Sequence, residues 1–228
     1  IGQPMTLTPF EKGVPLAVQE LTNEPSGSLQ AATAIMTTDT YPKEYAFSFT
    51  LHGKTCHLGA IGKGSGMIAP NMATMLEFYT TDVAISPAML QKALKDVVPG
   101  TYNQMSVDRD TSTNDTLLIL ASGLAGNEPI TAPGEDYDVF YQALTAIAEH
   151  MCREHAGDGE GASKLLVCEV SGAPDLTIAR AVSRSVVTSD LLKSAMFGED
   201  ANWGRILCAI GYTPGDFDVS RVDVRLHS

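Results

Sequence analysis

Hydrophobic and polar positions along the chain follow two different periods. Between about residues 138 and 155, Phe140, Leu144, Ile147 and Met151 recur at three- and four-residue steps. This spacing is typical of an amphipathic helix that buries one apolar stripe.

Three further segments have helical patterns. Over residues 86–97, Ser86 is a suitable N-cap and Pro87 fits the first helical position. Shorter helical patterns cover residues 179–187 and 203–210.

Short runs of β-branched, aromatic and aliphatic residues predict strands between these helices. The predicted strands are residues 31–36, 45–51, 75–80, 117–122, 165–170 and 222–226. Because strand and helix patterns are interleaved, we predict a mixed α/β (α+β) fold.

Composition narrows the classes of partner. The chain has 228 residues, enough for one large domain or two small ones, and 15 Lys and Arg against 27 Asp and Glu give a net charge of −12. With no basic cluster and no apolar run of membrane-spanning length, we expect a soluble protein that binds neither nucleic acid nor membrane.

Four scattered cysteines fit a reducing compartment. The chain opens without an initiator Met or a secretory signal, so we expect either an upstream segment that was removed or a fragment.

Residues 59–71 are rich in glycine and predict a loop in which backbone approaches a ligand or itself closely. The segment around Lys63 does not match a phosphate-binding loop, because His57 and Gly64 stand where that motif needs Gly and Ser or Thr. A nucleotide-binding role is therefore disfavoured.

Two other groups of polar residues match metal-binding motifs only in part. Residues 108–114 alternate oxygen-bearing side chains, but Thr113 and Ile119 replace the Gly and Glu of a calcium loop, and a polar turn is favoured. His150 and His155 are five residues apart, whereas zinc ligands on one helical face need three or four. We expect these histidines to be exposed at a helix end, and we expect no metal site.

Charged residues near glycines have both a structural and a functional interpretation. Asp158 and Glu160 lie in a glycine-bracketed segment, either as a solvated helix end or as carboxylates that receive a substrate amine. Lys63 is either a surface cation or the positive charge that binds a substrate carboxylate. Thr74 alone is typical of a residue that enters a strand, although the preceding Ala73 and glycine-rich loop would expose the Ala73 carbonyl to its hydroxyl.

Five long motifs of the chain resemble those of one known family, the ornithine acetyltransferases, which are bifunctional N-acetylglutamate-forming enzymes of the cyclic arginine pathway. The motifs are Ala-Ile-Met-Thr-Thr-Asp-Thr-x-Pro-Lys (34–43), Lys-Gly-Ser-Gly-Met-Ile-Ala-Pro-Asn-Met-Ala-Thr-Met-Leu (63–76), Val-Asp-x-Asp-Thr-Ser-Thr-Asn-Asp (107–115), Gly-Glu-Gly-Ala-x-Lys (159–164) and Phe-Gly-x-Asp-x-Asn-Trp-Gly-Arg-Ile (197–206). The chain resembles the middle portion of the family's sequences, and the resemblance implies a layered sandwich of sheets and helices.

The resemblance implies a proenzyme that cleaves itself between Ala73 and Thr74. Residues 1–73 would then be the C-terminal part of an α piece, and residues 74–228 the N-terminal part of a β piece that begins with the nucleophile. In this scheme the freed amine of Thr74 serves as the base for its own hydroxyl. The substrate contacts that the resemblance carries over are Thr37, Lys63, Thr74 and Glu160.

The activity implied is a ping-pong transfer of an acetyl group from N-acetylornithine to glutamate through an acyl-threonine. It needs no cofactor, although acetyl-CoA is a further acetyl donor in some members, and the resemblance implies a tetramer of two α and two β pieces in the cytoplasm. Two alternatives remain open: an N-terminal-nucleophile amidohydrolase or aminopeptidase, and an inactive fragment or interaction module.

Two departures from the family pattern bear on activity. The family's Thr-Gly pair that binds the oxyanion would precede Ile1, so this donor set is expected outside the chain. Arg109 stands where a small Gly is expected.

Overall fold

One mixed sheet organises the N-terminal two thirds of the chain in the computed structural model, which describes residues 4–69 and 75–227. The strands within these residues are β1 (Lys43–Leu51), β2 (Lys54–Lys63), β3 (Leu76–Thr81) and β4 (Thr116–Ala121), in the spatial order β1-β2-β3-β4. The pairs β1–β2 and β2–β3 are antiparallel, whereas β3 and β4 are parallel.

A two-residue turn joins β1 to β2. His52 and Gly53 both have positive φ, 44° and 76° respectively, which matches the tight turn that suits the twist of a hairpin. This turn sets the register of the hairpin, in which Lys43, the first residue of β1, lies opposite Gly62.

The register brings chain segments that are distant in sequence to one end of the sheet. Lys63, the last residue of β2, pairs with Leu76 at the start of β3, and Leu76 pairs with Thr116 at the start of β4. Since Lys43 lies opposite Gly62, the start of β1 is at the same end. We call this the site end of the sheet.

Seven helices accompany the strands within the described residues. They are α1 (Thr8–Gln19), α2 (Pro25–Ala34), α3 (Pro87–Val97), α4 (Glu135–Gly157), α5 (Leu176–Val187), α6 (Asp190–Phe197) and α7 (Trp203–Gly211). None of them combines the length and apolar character needed to span a bilayer.

The long helix α4 covers one face of the sheet. Phe140, Leu144, Ile147 and Met151 are fully buried on it, as the three- and four-residue spacing predicts. Each such side chain contributes about 1.5 to 3 kcal/mol through burial. The core therefore lies between α4, α3 and the sheet.

A second, smaller core lies among α5, α6 and α7. Its buried members include Val182, Leu192 and Ile206. The two predicted strands 165–170 and 222–226 lie beside this core, where alternate residues pack against it. No strand is assigned to either segment among the described residues, so both strand predictions are wrong here: the alternation indicates one buried face, but a strand also needs a hydrogen-bonded neighbour.

Most of the other predicted elements are confirmed, and one predicted strand is wrong. The mixed α/β fold, the strands at 45–51, 75–80 and 117–122 and all four helices are confirmed, with shifts at their ends. The strand predicted at 31–36 is wrong, because its first four residues lie in α2, which begins at Pro25 in the first-turn position that proline favours.

The glycine-rich segment 59–71, predicted as a loop, begins inside a strand. Its first residues belong to β2, where Gly59 and Gly62 are paired in the sheet rather than forming a loop. The strands β2 and β3 are neighbours, so the segments on either side of residues 70–74 share one sheet. The proposed division into residues 1–73 and 74–228 stays a prediction about the covalent chain.

Candidate functional site

A buried lysine anchors the site end of the sheet. The Nζ atom of Lys43 donates hydrogen bonds to Asp39 Oδ1 at 2.9 Å and to Asp158 Oδ2 at 2.5 Å, and the three side chains are almost fully buried. Asp158 also accepts from the backbone N–H of Thr40 at 3.0 Å. This network ties the segment before β1 to the end of α4.

The network keeps two buried carboxylates charged. Burial acts to raise the pKa of Asp39 and Asp158, but the hydrogen bond from Lys43, together with further backbone and side-chain donors, outweighs burial and lowers both pKa values. Asp158 is therefore part of the buried framework rather than a solvated helix end.

Asp39 links this framework to the glycine-rich segment after β2. Its Oδ1 accepts from the N–H of Gly64 at 2.9 Å, and its Oδ2 accepts from the N–H of Thr37 at 3.2 Å. The hydroxyl of Ser65 donates to the carbonyl of Thr38 at 3.1 Å. The exposed Thr37 is thus held beside Gly64 by one shared carboxylate.

Glu160 lies against the same segment from the other side. Its backbone N–H donates to the carbonyl of Ser65 at 2.8 Å. Its carboxylate lies so close to Gly66 that a Cβ added there would be 2.2 Å from Glu160 Oε2. A side chain at position 66 would therefore displace the exposed Glu160 carboxylate from this position.

Lys63 is the residue between these contacts. It ends β2, is only 6% exposed, and is followed directly by Gly64. A buried ammonium needs a compensating charge, and the positive charge of Lys63 acts on the carboxyl of Asp115. Lys63 is therefore a buried lysine and not a surface cation.

Beneath the glycines lies a second buried pair. Nε2 of His155 on α4 is 2.7 Å from Oε2 of Glu77 on β3, and both side chains are 0% exposed. Burial raises the pKa of Glu77, although the hydrogen bond and charge of His155 and the charge of Lys43 partly oppose this. The prediction that His155 is exposed at a helix end is wrong, because α4 extends to Gly157 and its buried stripe includes position 155.

Three of the five predicted site residues lie within the described part of the chain. Thr37 and Glu160 are brought from two distant parts of the chain to the segment Gly64-Ser65-Gly66, which directly follows Lys63 at the end of β2. Ala73 and Thr74 lie outside the described residues. The assigned roles of all five residues stay predictions.

Five residues form the buried support of the site, and of these the sequence analysis considered only Asp158 as a candidate substrate contact. They are Asp39, Lys43, Glu77, His155 and Asp158. The four-residue spacing of Asp39 and Lys43 was the one local signal available. Burial of these charges depends on how the strands and α4 pack together, which the sequence pattern does not show.

The described residues do not form a metal site. Among residues 4–69 and 75–227, no cluster of three or more His, Cys, Asp or Glu side chains has the arrangement to bind one. In the segment 108–114, Asp108 accepts from the N–H of Ile68 at 3.0 Å and from the N–H of Asp110 at 3.0 Å, as expected for a polar turn.

Comparisons with known proteins agree on one family. The whole chain, residues 1–228, matches the ArgJ family. A protein of Symbiobacterium thermophilum named "Arginine biosynthesis bifunctional protein ArgJ" is 49% identical over 226 residues, which are 99% of this chain and 56% of that protein. One of the same name from Caldanaerobacter subterraneus subsp. tengcongensis is 46% identical over 228 residues, which are 100% of this chain and 56% of that protein.

A solved structure supports the fold. The crystal structure of arginine biosynthesis bifunctional protein argJ from Bacillus halodurans is 48% identical in sequence, with a TM-score of 0.61 over 64% of this chain and 68% of that chain. The chain spans about half the length of the curated relatives it matches.

Proposed function

Because this chain belongs to the ArgJ family, we propose that it carries the nucleophile and part of the substrate pocket of a glutamate N-acetyltransferase. The reaction moves an acetyl group from N-acetylornithine to glutamate. The observation that carries the proposal is that the fold brings Thr37 and Glu160 beside Gly64-Ser65-Gly66, the segment that directly follows Lys63.

The charges at this convergence suit an amino-acid substrate. Lys63 offers a buried ammonium that would bind the substrate carboxylate, and the exposed carboxylate of Glu160 would receive the cationic amine of ornithine. The network of Lys43, Asp39 and Asp158 supports the position of Lys63, since Asp39 accepts a hydrogen bond from the backbone N–H of the adjacent Gly64. A cation and a carboxylate beside one segment would favour molecules that carry both charges.

Thr74 supplies the covalent chemistry in this proposal. Its hydroxyl oxygen attacks the acetyl carbonyl of N-acetylornithine, the amide C–N bond breaks, and ornithine leaves with the transferred proton. The amine of glutamate then attacks the acetyl-threonine ester, giving N-acetylglutamate and restoring the hydroxyl. Acetyl-CoA would acylate the same hydroxyl as an alternative donor, and no cofactor enters.

The nucleophile is released by self-cleavage. The Thr74 hydroxyl attacks the Ala73 carbonyl, the peptide C–N bond breaks, and water hydrolyses the ester to leave a carboxylate on Ala73 and a free α-amine on Thr74. With an unperturbed pKa of about 7.7 to 8.0, that amine is a suitable base for the neighbouring hydroxyl. We propose that the mature enzyme is a cytoplasmic tetramer of two α and two β pieces.

Intact-mass spectrometry after incubation with N-acetylornithine tests the proposal. We expect two pieces in place of a single chain, and an acetyl adduct on the piece that begins at Thr74. Thr74→Ala should abolish cleavage and adduct, whereas Thr80→Ala, at an exposed position of β3, should retain both.

Adding glutamate separates transfer from hydrolysis. The adduct should disappear as N-acetylglutamate forms. Release of acetate at the same rate without glutamate would identify an amidohydrolase instead, and an unprocessed wild-type chain would exclude the proposed nucleophile.

A further inference from the structure

Both glycines that flank Lys63 lie against the side chain of His155. A Cβ added at Gly62 would be 2.9 Å from His155 Cε1, and one added at Gly64 would be 3.0 to 3.4 Å from His155 Nδ1, Cβ and Cγ. Carbon atoms in ordinary van der Waals contact are about 3.5 to 4.0 Å apart. The backbone on each side of Lys63 therefore lies directly on this one side chain, with no room for another side chain in between.

Lys63 itself points away from His155. Successive side chains of a strand point to opposite faces of the sheet, and in β2 the buried Leu58 and Ala60 belong to the core that α4 covers. Gly62 continues this set, because its added Cβ would meet His155 on α4. Lys63 therefore projects from the other face, and His155 contacts the segment from behind.

Glu77 fixes the orientation of the His155 ring. Glu77 pairs with Gly62 in the sheet, and its Oε2 lies 2.7 Å from His155 Nε2. Both side chains are 0% exposed, so bulk water is not an alternative partner and rotation of the ring would break a buried hydrogen bond. The ring therefore presents Cε1 and Nδ1 to the glycine backbone in one orientation.

Asp39 holds Gly64 from a second direction. Its Oδ1 accepts from the N–H of Gly64 at 2.9 Å and from Lys43 Nζ at 2.9 Å. Asp39 acts on the residue after Lys63, whereas His155 contacts the residues on both sides of it. Together the two contacts fix the backbone from which the largely buried side chain of Lys63 extends.

We propose that His155 is a positioning residue for Lys63: its ring, oriented by Glu77, supports residues 62–64 from behind and so fixes the ammonium group where it binds a substrate carboxylate. The inference rests on the proposed function, because it concerns the carboxylate contact assigned there to Lys63. Lysine carries its charge on a flexible four-carbon stem. A fixed backbone reduces the conformational freedom that is lost when a carboxylate binds to it.

The alternative is that His155 only fills space in the core. A space-filling residue affects the free energy of unfolding, and any effect it has on binding would be the same with or without Lys63. A positioning residue loses its effect on binding once Lys63 is absent. A double-mutant cycle between positions 63 and 155 separates the two roles.

Isothermal titration calorimetry with ornithine measures this coupling, because ornithine has the carboxylate but no acetyl group to transfer. We expect Lys63→Ala to raise Kd by about 10- to 10²-fold, and His155→Ala to raise it by about 10-fold. The double variant should bind no more weakly than Lys63→Ala alone. His155→Gln keeps an amide that reaches Glu77, and it should recover part of the affinity that His155→Ala loses.

Matched controls accompany the cycle. His150→Gln replaces a histidine of the same helix, whose ring centroid lies 3.9 Å from that of Tyr45, and should leave Kd unchanged. Intact mass checks that all proteins share one covalent state, and if a variant differs in cleavage the whole cycle is run with Thr74→Ala. Circular dichroism checks folding. If His155→Ala does not fold, His155→Leu takes its place, because it keeps bulk but loses the hydrogen bond to Glu77.

Each outcome decides the matter. Additive effects of the two substitutions would overturn the inference, as would wild-type affinity in a folded variant that lacks the His155 ring. Wild-type protein that binds ornithine through Lys63 but transfers no acetyl group would refute the proposed function and leave the cycle to decide on His155. Wild-type protein that binds no ornithine would overturn both.

Discussion

Nε2 of His155 lies 2.7 Å from Oε2 of Glu77, and no part of either side chain reaches solvent. The pair lies directly beneath Gly62 and Gly64, whose Cβ positions would fall 2.9 Å from His155 Cε1 and 3.0 Å from His155 Nδ1. The segment that carries Lys63 therefore rests on a titratable pair in the core.

Glu77 should make stability depend on pH. Burial raises its pKa above the ordinary value of 4.5, so the stabilising effect of its protonated form is present below that value and is lost as pH rises through the folded pKa. Glu77→Gln removes the titration, and its free energy of unfolding should improve relative to wild type as pH rises from 4 to 8. Urea denaturation across this range measures the difference, and Glu149→Gln on the exposed side of α4 is the control. A pH-independent difference would contradict this assignment.

Replacing Gly62 tests the contact between the sheet and the buried pair. A Cβ at Gly62 would lie 2.1 Å from Glu77 Oε2, whereas a Cβ at Gly59, in the same strand, would meet its nearest atom at 3.5 Å. Gly62→Ala should lower the free energy of unfolding by about 1 to 3 kcal/mol, as overpacking does. Gly59→Ala should change it by less than about 0.5 kcal/mol. Equal effects of the two substitutions in urea denaturation would show that the close contact is not important.

Lys43→Met should strongly destabilise the protein. The substitution leaves two buried carboxylates without their cation, and breaking such a pair costs about 3 to 5 kcal/mol. The pKa values of Asp39 and Asp158 are lowered in the wild type, so the stability they contribute is present above the ordinary value of 3.8 and lost as pH falls through the folded pKa.

The loss on Lys43→Met should therefore be large at pH 7 and should shrink as pH falls below 3.8 toward 3, measured by urea or thermal unfolding. Lys92→Met is the matched control, because the ion pair of Lys92 with Asp96 is exposed. A loss of equal size at both pH values would mean that packing, not charge, accounts for it.

Lys63 should determine affinity for the substrate carboxylate. Lys63→Ala would remove the proposed charge-assisted hydrogen bond to the substrate, and we expect kcat/KM for N-acetylornithine to fall by about 10- to 10²-fold, mainly through KM. Lys164→Ala is the control, since Lys164 is exposed and 3.4 Å from Glu199. Unchanged KM in Lys63→Ala, measured on processed enzyme, would remove Lys63 from the binding site.

The two pieces should stay together after cleavage. Residues 58–63 of β2 pair with residues 76–81 of β3 across the proposed break, so the sheet does not depend on an intact segment 70–74. We expect both pieces to co-elute in size-exclusion chromatography and to separate only in denaturant. Separation in native buffer would show that this pairing does not hold the pieces together.

Local patterns predicted most of the regular structure. The apolar stripe of α4 and the Ser86-Pro87 start of α3 follow from neighbours within one turn, and both are confirmed. The errors arose where a long-range partner decides the outcome: segment 165–170 has the alternation of a strand, but no strand is assigned to it among the described residues. Gly59 was assigned to a loop, although pairing with β1 and β3 holds it in β2.

The sequence by itself determined the mixed α/β class, the family resemblance and the candidates Thr37, Lys63, Thr74 and Glu160, because composition, short-range periodicity and ordered motifs are properties of the chain. Only the tertiary structure decided that Thr37 and Glu160 lie beside the glycine segment that follows Lys63. It also decided that five charged or titratable side chains are buried beneath or beside this segment: Asp39, Lys43, Glu77, His155 and Asp158. Burial and pairing of a charge depend on which distant strands and helices exclude water around it, and sequence spacing does not contain that information.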